Sequence, residues 1–253
     1  MRDNERMIDV DYHDQTAVVR LRHGKVNALD LELLQAISDT FRGLDADAVV
    51  LTGVGKAFSA GVDLKRIVEG GTKYTQAFLP ALSDALLAVF DHPRPVVAAI
   101  NGHAIAGGCV LAAACDVRLM SAGTIGLTEL RVGVPFPTAA LEIVVSAIGP
   151  AAQTLALTGQ VIDIDAALSI GLVHRHVNPE SLVNEAIECA ADLGTINPEV
   201  YAFTKQQLHR LVRKRIDIRS PVDDAEILRR WSQMGADRRI VTYLTALANR
   251  RRT

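Results

Sequence analysis

Two short apolar runs that each close on glycine constrain this chain more than any other feature. They are AVVLTG, ending at Gly53, and PVVAAING, ending at Gly102. Neither run alternates with polar residues, so a strand formed there is covered on both faces, as strands of a parallel sheet beneath helices are. The closing glycine lets the backbone turn sharply and leaves main-chain NH groups open to close approach by another group. A strand, a glycine-rich turn and a helix-like segment recur, which predicts a layered α/β domain with parallel strands.

The remaining segments fill in that plan. IDVDYHDQTAVVRLRHG alternates apolar and polar residues and stops at Gly24, as strands of a hairpin do. In NALDLELLQAISDTFRGL, Leu29, Leu33, Ile37 and Phe41 fall near one helical face. YTQAFLPALSDALLAVFDHP predicts a helix ending before Pro93, and VLAAACDVRLMSA a buried helix leading into a strand. GPAAQTLALTG predicts another helix, capped by Gly159. DIDAALSIGLVHRHV gives a helix, a glycine turn and a short strand, and SLVNEAIECAADLG a further amphipathic helix. From Pro198 a charged periodic tail predicts a helical appendage, so residues 1–195 are expected to form the core and 196–253 a helical segment.

Composition removes several classes of function. At 253 residues, 49% of them apolar, the chain can bury a full core, yet each long apolar run is interrupted by Gly, Pro, His or a charge. Membrane insertion is not expected, and the opening MRDNERMIDVDYHD is too polar for a secretory signal, so a cytoplasmic protein is expected. Cys109, Cys115 and Cys189 lack disulfide or zinc spacing and read as small core residues. Residues 201–253 hold thirteen Lys and Arg against five Asp and Glu, a balance of +8, whereas the first 200 residues carry −10. A basic tail suits nucleic acid, an anionic cofactor or an acidic neighbour. Few aromatics accompany the arginines and no nucleic-acid module is present, so nucleic acid is not the expected partner. His174 and His176 in GLVHRHV are expected on one face of a strand, but no acidic or Cys partner completes a metal site. No Gly-x-Ser-x-Gly elbow marks a serine hydrolase.

The glycine segments also fail as phosphate loops. TGVGKAF lacks the glycine four residues before its GK pair and the Ser or Thr after it, and NGHAIAGGC lacks the dinucleotide glycine spacing. What they can offer instead is a pair of preorganised NH donors aimed at one oxygen, an arrangement in which a single donor is worth about 3 kcal/mol of barrier.

FSAGVDL and INGHAIAGGCVLAAACDVR resemble, in order and spacing, the two oxyanion segments of the crotonase, or enoyl-CoA hydratase/isomerase, superfamily. The resemblance runs from VVRLRHGKVNAL to GLVHRHV and more weakly into the tail. It implies a crotonase-like (ClpP/crotonase) fold of repeated ββα units with a C-terminal helical trimerisation segment, assembling as a homotrimer or hexamer. It implies an acyl-CoA thioester substrate, with coenzyme A part of that substrate and no separate cofactor. The oxyanion donors are then the amides of Val62 and Gly107, and Lys25, Ala60, Asp63 and Leu64 are candidate CoA contacts. Lys65 reads equally as a surface charge. In such an assembly the basic tail, including Arg250, Arg251 and Arg252, is expected to reach a neighbour's CoA phosphates.

In IGLTELRVGVPFP the resemblance places a catalytic glutamate at Glu129, for which an exposed turn residue or an ion pair with Arg131 is the competing reading. Hydratases of the family carry a second glutamate where this chain has Val110. AGGCVLAAACDVR and IGLTELRVGVPFP resemble the mitochondrial-type Δ3,Δ2-enoyl-CoA isomerases, which use one glutamate. The expectation is therefore an enoyl-CoA isomerase of fatty-acid oxidation. Its rivals are an enoyl-CoA hydratase using Glu129 alone or with Glu142, and a non-catalytic acyl-CoA binding protein. Glu142 otherwise reads as a helix surface residue or ion-pair partner. His103 could line the acyl pocket but is expected to be satisfied by backbone groups, and it is assigned no role.

Overall fold

The computed structural model describes residues 6–233 and Ile240. Arg250, Arg251 and Arg252 lie outside the described residues, as does most of the segment beyond Gln233. The chain opens with an antiparallel hairpin of β1 (Ile8–His13) and β2 (Thr16–Leu21). The two apolar runs form β3 (Ala48–Gly53) and β5 (Val96–Ile100), every residue of which is buried. With β7 (Val117–Met120) and β10 (Arg175–His176) they make a six-stranded sheet ordered β1-β2-β3-β5-β7-β10, parallel from β2 onward.

Alternation along these strands feeds two layers. Val19, Val49 and Leu51 point to the larger core, which includes α1 (Leu31–Gly43), α2 (Leu64–Phe90) and α3 (Gly107–Ala113). Val18, Val50 and Val97 point the other way, under α7 (Leu182–Gly194). The α1 helix begins where Asp30 accepts a hydrogen bond from the Leu33 amide, and Leu33, Ile37 and Phe41 are buried on its inner face.

A second, four-stranded sheet, ordered β4-β6-β8-β9, comes from strands of two or three residues: β4 (Ala57–Ser59), β6 (His103–Ile105), β8 (Ile125–Gly126) and β9 (Val161–Ile162). The chain continues through a 3-10 turn (Glu129–Val132), α4 (Thr138–Ile148), α5 (Ala151–Thr158) and α6 (Ile164–Ser169). It then reaches α8 (Pro198–Ser232), which packs on α4 and α2. No described helix is long and apolar enough to cross a membrane.

Two local expectations change. The helix expected from Tyr74 starts at Leu64, because Asp63 caps it by accepting from the amides of Lys65 and Arg66; Gly71 (φ 58°, ψ −155°) then breaks it where the glycines had hidden the periodicity. His174 does not share a strand face with His176. Its ring accepts from the Arg118 amide at 3.1 Å and sits 3.0 Å from the Arg118 guanidinium, and burial with that neighbouring cation pushes its pKa down to about 4. Cys109 and Cys115 are buried and Cys189 is half-buried.

Candidate active site

The two glycine segments meet at the rim of a cavity of about 760 Å³. Gly61 follows β4 with φ 80°, and a Cβ there would lie 2.5 Å from the Ile105 carbonyl oxygen. A Cβ on Gly108 would lie 2.3 Å from the Ser59 carbonyl oxygen. Only glycine lets these backbones approach so closely. Leu29 fixes the first segment from both sides, donating to the Gly61 carbonyl at 2.8 Å and accepting from the Asp63 amide at 2.9 Å. Between those bonds the Val62 amide is left over. In the second segment Ala106 takes an unusual conformation for a residue with a Cβ (φ 51°, ψ −122°) and turns Gly107 into the first position of α3. Among the described residues, neither the Val62 nor the Gly107 amide has a hydrogen-bond acceptor. A Cβ built on Gly107 would lie 3.6 Å from the Val62 side chain, so the two donors are neighbours.

Asn27, fully buried, locks the approach to this site. Its side-chain amide donates to the carbonyls of Ala57 (3.0 Å) and Phe58 (3.2 Å), and its side-chain oxygen accepts from the His23 amide at 2.9 Å. Ser59 Oγ donates to the Asn27 carbonyl at 2.7 Å and accepts from the Gly61 amide at 3.2 Å. The loop carrying Lys25 is thereby fastened to the strand that presents Val62. Sequence reading passed over Asn27, although a polar residue before an apolar helix was a visible signal.

Glu129 opens the 3-10 turn after β8 and is 7% exposed. Among the described residues its Oε2 has no hydrogen-bond partner, and burial pushes its pKa up to about 8 against a weaker opposing pull from the amides of Glu129 and Thr128. The competing ion pair does not form. Arg131 turns away, donating to the Thr158 carbonyl at 2.9 Å and packing over Gly159. Glu129 lines the same cavity as Val62, Gly107 and Val110. An uncompensated carboxyl and two unoccupied amides around one apolar space can move a proton and hold an oxyanion.

Lys25, Ala60, Asp63 and Leu64 also line the cavity. The Asp63 carboxylate is already committed to the cap of α2. Lys65 lies at the rim and reaches Glu69 at 3.7 Å, both well exposed. His103 stays on the surface, its Nδ1 accepting from the Thr124 amide, and does not line the cavity. Glu142 is 3% exposed, which corrects the surface-residue reading: Arg219 donates to it at 2.6 Å and Arg215 lies 3.6 Å away. Leu82 and Leu86 from α2 and Trp231 from α8 complete the apolar wall and had no motif to announce them.

The profile of the family described as enoyl-CoA hydratase/isomerase matches residues 12–232. The chain belongs to this family. Within the enoyl-CoA hydratase/isomerase family, a short-chain-enoyl-CoA hydratase of Clostridium acetobutylicum is 32% identical over 211 residues, covering 80% of this chain and 81% of that protein. A Mycobacterium tuberculosis protein, described both as an enoyl-CoA isomerase and as a probable enoyl-CoA hydratase, is 30% identical, with a TM-score of 0.75 over 83% of this chain and 96% of the other. Human mitochondrial Δ3,Δ2-enoyl-CoA isomerase, 24% identical, superposes with a TM-score of 0.90 over 97% and 99% of the two chains and thereby supports the fold. Relatives named for both activities thus share this architecture.

Proposed function

We propose that this family member is a Δ3,Δ2-enoyl-CoA isomerase working through one carboxylate. The carrying observation is that Glu129 is buried and unpartnered at the cavity while Val110, fully buried, stands where hydration would call for a second carboxylate. In this reading the Glu129 carboxylate takes a proton from C2 of a 3-enoyl thioester. The electron pair moves onto the thioester oxygen, which the Val62 and Gly107 amides hold as a dienolate. The protonated Glu129 then returns the proton to C4, so the double bond moves from C3–C4 to C2–C3. No cofactor enters this balance. Lys25 and the backbone around Ala60, Asp63 and Leu64 would receive the CoA moiety.

Assembly as a homotrimer or hexamer fits the same reading. Phe203, Leu211, Ile218 and Val222 are exposed along one side of α8, opposite the buried Val212, Ile216 and Ile227, and such a stripe suits a second copy of the chain.

Hydration is the second reading, favoured by the hydratase name of the C. acetobutylicum relative. Purified protein offered a 3-enoyl-CoA and a 2-enoyl-CoA separates the two when conjugation and water addition are followed independently. Conjugation of the 3-enoyl ester should outpace hydration of the 2-enoyl ester. The reverse order would support the hydratase, and tight binding without either reaction would support an acyl-CoA binding protein.

A further inference from the structure

Trp231 lies in the last turn of α8, far along the chain from Glu129, yet lines the same cavity. It is 2% exposed and held on two sides. Its indole Nε1 donates to the Pro135 carbonyl at 2.9 Å, in the loop that follows Glu129. Its ring stacks on Phe78 of α2 (centroids 6.1 Å apart, planes at 26°), and Phe78 stacks in turn on Tyr74 at 5.9 Å. Asp224 ties the same helix to the start of α4, accepting from Thr138 Oγ1 at 2.7 Å. The aromatic wall is thus pinned to the segment that carries the carboxyl and to the helix that carries Leu82 and Leu86.

The cavity is chemically lopsided. Among the described residues, its ionisable lining apart from Glu129, namely His23, Lys25, Asp63 and Lys65, comes from the first third of the chain. The lining from Leu82 to Trp231 is apolar apart from Thr128 and Glu129. A hydroxyl or terminal carboxylate on the acyl tail would lose its water there without gaining a partner.

We propose that Trp231 closes the acyl half of the cavity, selecting unsubstituted hydrocarbon tails and setting their maximum length. The proposal rests on the acyl-CoA reading of the site. Each methylene that reaches the apolar wall should tighten binding about fourfold, and the gain should stop where the tail meets the pinned indole.

Trp231 is the chain's single tryptophan, so indole fluorescence reports on this position alone. The full chain is titrated with CoA and with saturated acyl-CoAs from butyryl to palmitoyl, by calorimetry and by tryptophan emission. Affinity should climb with length and then stop, with emission changing at the length where it stops. W231A should move the stop to longer tails, so that its affinity relative to the wild type rises as the tail lengthens past the wild-type stop. W231F, which keeps an aromatic wall, should move it less, and W231L supplies the comparison should W231A not fold. An unchanged stop, or an equal loss at every length in a folded variant, overturns the proposal. So does equal affinity for an ω-carboxyl acyl-CoA and its plain counterpart. If the wild type binds no acyl-CoA of any length, the proposed function falls first and takes this inference with it, an outcome distinct from binding with an immobile stop.

Discussion

Two buried carboxyls sit close in sequence and have opposite fates. Glu129, in the turn before α4, is 7% exposed, lines the cavity, and among the described residues has no hydrogen-bond partner for its Oε2. Glu142, on α4 itself, is 3% exposed and faces two guanidinium groups that α8 brings back from far along the chain, Arg219 at 2.6 Å and Arg215 at 3.6 Å. Residue type and burial are the same in both places; compensation differs. A carboxyl removed from water with partners supplied is a structural tie. The same group with no cation opposite it among the described residues, beside open space, is pushed by burial to a pKa of about 8, where it can give or take a proton.

The largest expected effect tests that contrast directly. Glu129→Gln keeps the shape of the side chain and removes the group proposed to carry the proton, so turnover should fall by about 10⁴-fold, the upper range for a positioned acid or base. Binding of a saturated acyl-CoA should stay near wild type, because Glu129 is not needed to hold the ester. Glu142→Gln, assayed per folded molecule, should retain turnover within about threefold, since its partners lie on α8 and away from the chemistry. Equal losses in the two variants would erase the distinction.

The next effect appears in stability against pH. Glu129 takes up its proton near pH 8 when folded and near 4.5 when unfolded, so between those values the folded state binds more protons. Its contribution to stability is full below about pH 4.5 and is lost as pH rises through 8, by a few kcal/mol at about 1.4 kcal/mol per unit. The amide introduced by Glu129→Gln has no proton to lose. Denaturant unfolding should therefore show the wild type losing stability relative to that variant across this window, and parallel curves would mean that the group is better solvated than its burial implies. On the proposed mechanism activity should run the other way, because a carboxylate base must be ionised: kcat/KM should rise with pH through about 8.

Much of this contrast was legible before folding, and the part that was not has a physical reason. Gly61 and Gly108 carried their own signal, because close approach of two backbones demands residues without side chains, and the family resemblance of IGLTELRVGVPFP pointed to Glu129. The second sheet was silent because its strands, such as Ile125–Gly126, are too short to show any period. For Glu142 the ion-pair reading holds and the surface reading does not, and its partner Arg219 arrives from another helix and leaves no local trace in the sequence. Trp231 was invisible as a site residue for the same reason: α8 packs its own apolar face on the core, and only the packed structure shows which of those residues reaches the cavity.

The smallest effects resolve the tie at Glu142, and their order follows from where each charge is left. Arg219→Gln strips the near partner from a buried carboxylate and should cost about 2 kcal/mol, below the full penalty of a buried pair because the guanidiniums are half in water. Glu142→Gln leaves two cations that water can already reach, 56% and 52% exposed, so about 1 kcal/mol is expected although the same pair is broken. Arg215→Gln should cost least, about 0.5 kcal/mol, because at 3.6 Å it adds Coulomb attraction without a hydrogen bond. Denaturant midpoints at low salt rank the three. If Arg215→Gln equals Arg219→Gln, the two arginines share the carboxylate evenly. If all three fall below about 0.3 kcal/mol, Glu142 is better hydrated than its 3% exposure implies, and burial of α4 against α8, rather than compensated charge, holds that end of the fold together.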